Sequence, residues 1–104
     1  MRFLDTNIFL RHLIQDDPQK AALCTALLAA VERGEFHAWT TDLVVAELVF
    51  VLGSKRRNGY GYTREQIKNG LLPLLMLSNL QVPSKRFYPR IFELLFRVKK
   101  NALW

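Results

Sequence analysis

Short apolar runs and helix-period stripes alternate along this chain, and the residues that punctuate them predict the order β-α-α-β-α-α-β-α. Residues 2–5 read as a first strand that ends on Asp5, and residues 7–14 as a short helix that Thr6 can cap. Asp17 and Pro18 open a second helix with a stripe of Leu23, Leu27 or Leu28 and Val31, which Gly34 ends. Phe36–Thr40 forms the next strand, and Thr41 or Asp42 caps a third helix. A capping box, Thr63 with Gln66, starts a fourth helix running to about Leu77, with a kink at Pro73. Leu80–Val82 is the last strand. Phe87, Ile91, Leu94, Leu95 and Val98 then recur at helical spacing from near Tyr88.

Strands alternating with helices predict an α/β fold, a parallel sheet covered on both faces. With 104 residues, no internal repeat and no linker, the chain is read as a single domain, 1–104. No apolar run reaches a membrane span, and the start lacks the layout of a secretory signal, which places the protein in the cytoplasm. The lone Cys24 sits among alanines and leucines and reads as an inert buried thiol.

Two carboxylates stand out from this pattern. Asp5 falls where a strand meets a helix, at the rim of a sheet where ligands bind in α/β folds. Glu47 is the only polar residue between Leu43 and Leu52. A helix apolar all round is a buried helix, and a carboxylate inside it requires a partner. Two hard oxygen ligands at one end of a sheet suit Mg²⁺ or Mn²⁺, which takes carboxylates, waters and a substrate phosphate. Asp42 reads as a helix-start acid and Glu93 as a solvated partner of Arg90 or Arg97. His12 and His37 lack the spacing of a zinc pair.

The charge is uneven. Residues 1–52 carry four basic and seven acidic side chains, a net of −3; residues 53–104 carry eleven and two, a net of +9, for the total of +6. An acidic half joined to a basic half suits a protein that holds a cation with one and a polyanion with the other. Lys55, Arg56, Arg57, Lys85 and Arg86 are the candidate phosphate contacts, with Tyr60 and Tyr62 available for base stacking.

The segments Phe3–Arg11 and Thr41–Leu52 resemble the first two motifs of PIN-domain proteins, most closely the VapC-type toxins of toxin–antitoxin pairs. The resemblance implies a PIN-like three-layer α/β/α fold with a short parallel sheet and a Mg²⁺- or Mn²⁺-dependent endoribonuclease silenced by a small VapB-like antitoxin. It implies Asp5 and Glu47 as catalytic metal ligands, with Thr6 and Asn7 orienting Asp5 and the metal waters. The family pattern has a third acid, usually a fourth, in a later Phe-x-Asp-Ala stretch, whereas here no acid follows Glu93. The expectation is therefore a sheet lacking its last strands, or a site completed by another subunit, and in either case a homo-oligomer, a dimer at least. The alternative function is a catalytically inactive PIN-like module that binds RNA or a protein. A phosphotransfer domain is disfavoured because Asn7 stands where its second aspartate would be.

Overall fold

The computed structural model describes residues 1–97. Val98 of the last predicted stripe lies outside that range, and the side chain of Arg97, one of the two partners expected for Glu93, lies outside the described side chains. The elements follow the expected order: β1 (Arg2–Phe3), α1 (Thr6–Ile14), α2 (Pro18–Glu32), β2 (Ala38–Trp39), α3 (Asp42–Gly53), α4 (Arg64–Leu75), β3 (Leu80–Gln81) and α5 (Tyr88–Arg97). A 3-10 turn, Lys85–Phe87, leads into α5.

The three strands form one parallel sheet in the order β1-β2-β3, with Arg2 opposite Ala38 and Ala38 opposite Leu80. Parallel neighbours need long crossovers, and a helix pair fills each one. The ladders are short, but Leu4 N–H donates to Trp39 O and Thr40 N–H to Gln81 O, both at 2.9 Å, so pairing continues one residue toward the C-terminal ends.

Side-chain alternation divides the sheet into two faces. Leu4, Ala38, Thr40, Leu80 and Val82 are buried beneath the helices, in a core with Phe9, Val31, Leu48, Leu52, Leu71 and Leu75. Thr40 avoids an unsatisfied hydroxyl by donating to Leu4 O at 2.7 Å, which locks the end of β2 to the end of β1. On the other face Phe3 and Trp39 are 42% and 39% exposed and pack ring to ring at 4.7 Å. The α/β class and the short parallel sheet are as expected. Cover on both faces is not seen, because the described helices leave the Phe3–Trp39 row open to solvent.

Helix starts are chemically explicit. Asp17, Thr41 and Thr63 accept from the backbone N–H three residues on, and Thr63 and Gln66 complete a reciprocal capping box. At α1 the expectation was wrong by one residue. Asp5, in extended backbone, is the cap, its Oδ1 accepting from Ile8 N–H at 3.3 Å, and Thr6 is the first residue inside the helix. Pro73 lies on the exposed side of α4, and the helix ends at Leu75 rather than Leu77.

Candidate metal and nucleic-acid site

Asp5 and Glu47 are carried by elements that leave the same end of the sheet. Asp5 follows β1 directly, and α3 begins just after the neighbouring β2. The Thr40–Leu4 hydrogen bond fixes these two strand ends together, and α1 packs against α3. Capping holds the Asp5 carboxylate in one orientation while leaving it exposed to solvent. Asn7 is exposed beside it, and Thr6 is half-buried.

Glu47 is not buried. It shares an exposed stripe of α3 with Leu43, Ala46 and Phe50, spaced i, i+3, i+4 and i+7. Leu43 and Phe50 are 77% and 68% exposed. Val44, Val45, Leu48 and Leu52 form the buried side. The argument that Glu47 requires a buried partner therefore fails: a helix of uniform hydropathy has an outside, and here the outside contains large apolar residues.

The basic loop after α3 is held in place by its backbone. Ser54 N–H donates to Phe50 O (2.9 Å), Tyr60 N–H to Val51 O (3.2 Å) and Tyr62 N–H to Leu52 O (2.7 Å), so the returning chain satisfies the last carbonyls of the helix. Gly61, at φ 64°, donates its N–H to Ser54 O at 2.8 Å. Gly59 comes so close to Ser54 that a Cβ there would meet the Ser54 carbonyl oxygen at 2.2 Å. Lys55, Arg56 and Arg57 are exposed on this fixed loop, at the helix end where the dipole favours cations. Along the axis the loop begins about 9 Å beyond Glu47, at 1.5 Å per residue. Tyr60 is exposed, and Tyr62 packs against the core.

Lys85 does not belong with these cations. Its half-buried ammonium donates to the carbonyls of Leu77 and Leu80, the latter at 2.7 Å, closing the turn between α4 and β3. Burial also draws its pKa below the ordinary lysine value. Arg86 remains exposed, with its guanidinium 4.7 Å from the Phe87 ring centre.

One polar cluster had no signal in the sequence. Asp42 accepts from Ser84 N–H (3.2 Å), from Ser84 Oγ (2.9 Å) and from the Tyr88 hydroxyl, tying the first turn of α3 to the start of α5. The Tyr88 bond is the largest influence holding the Asp42 carboxyl below its usual range, with the Ser84 bonds adding to it against desolvation. Burial, then the neighbouring carboxylate, push the Tyr88 phenol well above its ordinary value. These residues are more than forty positions apart, and only the fold brings them together. Among the remaining candidates, Glu93 pairs with Arg90 at 3.4 Å. His12 Nδ1 lies 2.7 Å from Thr25 Oγ1, with its pKa lowered by burial, and His37 is exposed elsewhere. Cys24 is a buried free thiol.

In an open parallel sheet ligands bind at the C-terminal ends of the strands, which is where Asp5 stands. The PIN domain family model matches residues 2–86, and the chain belongs to the PIN-domain family. PIN domains are generally metal-dependent nucleases. No curated protein and no solved structure gives a significant match.

Carboxylates are the donors that a hard divalent ion takes. Mg²⁺ is held by one or two carboxylates with waters and substrate phosphates completing its shell, and exposed carboxylates leave room for both. Among the described residues no group of three or more His, Cys, Asp or Glu side chains is placed to hold a metal.

Proposed function

We propose that this PIN domain is a Mg²⁺- or Mn²⁺-dependent endoribonuclease, the toxin of a toxin–antitoxin pair, in which Asp5 and Glu47 hold the ion. The observation that carries this reading is the pair of exposed carboxylates leaving one end of the sheet of a chain that belongs to the PIN-domain family. When bound, such an ion supplies Lewis acidity at the phosphate and a water of lowered pKa. The chain's own groups do the rest. The α1 cap keeps Asp5 oriented, Asn7 and Thr6 stand beside it to orient water, and Lys55, Arg56, Arg57 and Arg86 neutralise phosphates of the strand. Lys85 is not one of these contacts, since its ammonium is engaged inside the fold.

The cognate partner on this reading is a VapB-like antitoxin, and the protein works in the cytoplasm as a homo-oligomer. The open Phe3–Trp39 face supports self-association, because exposed aromatic surface on a sheet favours burial against another molecule. No helix among the described residues is long and apolar enough to cross a membrane.

The test is RNA cleavage with Mg²⁺, with Mn²⁺ and with EDTA, by the wild type and by Asp5→Asn and Glu47→Gln. Cleavage that needs the ion and is lost in both variants is expected. Activity surviving both substitutions would remove the assignment. For the toxin role, expression should arrest growth, and Asp5→Asn should relieve it.

The described residues gather no third acid, which favours a second reading, a module that binds RNA or a protein without cutting. That reading requires salt-sensitive RNA binding and no product with any divalent ion.

A further inference from the structure

A cleft of about 820 Å³ opens between the C-terminal half of α3 and the start of α4. Val49, Phe50, Gly53 and Ile67 give it apolar walls, and Lys55 and Arg56 stand on its rim. We propose that it is a subsite for one unpaired nucleobase of the RNA, next to the phosphate that is cut. The inference rests on the nuclease reading above and adds the position of the base that is read.

Three observations converge on this occupant. The volume lies in the range of small-ligand pockets, and a nucleotide fits it. Phe50 is 68% exposed at the cleft and presents a ring to solvent where a core residue would bury it. Aromatic faces beside cations are how proteins bind single strands, the ring stacking on the base and the cations following the backbone. The rim cations sit on a loop tied by its backbone to α3, so the phosphate contacts are ordered before RNA arrives. Glu65 also borders the cleft, and it stands on α4, across from the cationic rim on the α3 side.

Position supplies the link to chemistry. Phe50 is three residues beyond Glu47 on the same exposed stripe of α3, and such neighbours have Cβ atoms about 5–6 Å apart. A base stacked on Phe50 therefore belongs to a nucleotide adjoining any phosphate held at Glu47. A duplex keeps its bases stacked inside and cannot offer one to the cleft without unpairing.

The experiment measures binding without cutting. The full chain is titrated in EDTA against a short single-stranded oligoribonucleotide and against an RNA duplex of the same length, by fluorescence anisotropy at several salt concentrations. Phe50→Ala should weaken single-strand binding roughly tenfold with the salt slope unchanged, and Phe50→Trp should restore it. Arg56→Ala should instead lower the salt slope by about one. Leu23→Ala, a large exposed apolar residue on α2 outside the cleft, should bind as the wild type does. Because Phe50 is solvent-exposed, Phe50→Ala should keep the wild-type urea midpoint, which separates lost stacking from lost folding. Single-strand binding unchanged in Phe50→Ala, an equal loss against the duplex, or no binding of the wild type to either RNA would overturn the proposal. The nuclease reading fails separately: a wild type that shows the Phe50 effect in EDTA yet never cuts with Mg²⁺ or Mn²⁺ keeps the subsite and loses the enzyme.

Discussion

Replacing Asp42 unties the start of α3 from the segment leading into α5. Its carboxylate accepts three hydrogen bonds, two from Ser84 and one from Tyr88, and it lies in the first turn of α3, where negative charge is favoured. A bond to a charged acceptor contributes about 1.5–3 kcal/mol and the dipole about 0.3–1 kcal/mol. The carboxylate is half-exposed and three donors share it, so water competes and the terms do not add. The expected loss for Asp42→Ala is about 2–3 kcal/mol, part of it from leaving the hydroxyl of the buried Tyr88 without its acceptor. Tyr88→Phe keeps the ring beside Phe92 and removes one bond, about 1 kcal/mol. In a domain of this size each kcal/mol lowers Tm by about 4–8 °C.

Urea unfolding of the two single variants and the double variant measures the coupling, expected near 1 kcal/mol. The pH dependence has a definite sign. The Asp42 carboxyl is lowered in the fold, so its contribution is complete above its unfolded value of 3.8 and is lost as pH falls through the folded one. The Tyr88 phenol is raised, so its contribution is complete below 10.0 and declines as pH climbs above it, while the unfolded chain ionises first. Additive single variants, or a Tyr88→Phe chain as stable as the wild type to within about 0.3 kcal/mol, would refute the clamp.

Lys85→Met should lower stability by about 1–3 kcal/mol in the same urea assay, because the carbonyls of Leu77 and Leu80 lose their donor, and it should leave the salt slope of RNA binding unchanged. A reduced slope would restore Lys85 to the phosphate contacts. Gly59→Ala should destabilise by more than about 2 kcal/mol and weaken RNA binding together, since the Cβ collides with Ser54 and the loop must shift. Wild-type amide chemical shifts at Ser54 and Gly61 in that variant would contradict the close approach.

Much of the fold is legible because its signals are local. Caps at Asp17, Thr41 and Thr63, the Pro18 start and the glycine after α2 each depend on neighbours within a turn, and they place α2, α3 and α4 in order. Exposure proved harder to read. In Leu43–Leu52 every residue but Glu47 is apolar, so periodicity carries no information about which side faces the core, and Glu47 reads as a buried charge. Lys85 erred the other way: a lysine in a basic run reads as solvated, and only the turn between α4 and β3 shows two carbonyls converging on it. Asp42 and Tyr88 could not be joined from sequence at all.

The layout of charge along α3 follows from helix physics. A carboxylate in mid-helix and three cations past the C-terminus would attract one another if the loop were free to fold back, and Glu47 would then be neutralised by its own chain. The backbone bonds from Tyr60 and Tyr62 to the last carbonyls of α3 and the Gly59 contact with Ser54 fix the loop beyond the helix end, and leave Glu47 among apolar neighbours on the exposed stripe. Cations at the C-terminus are favoured by the dipole whether or not RNA is present. The separation is therefore built into the fold, and it is what the proposed function requires of α3 and its loop.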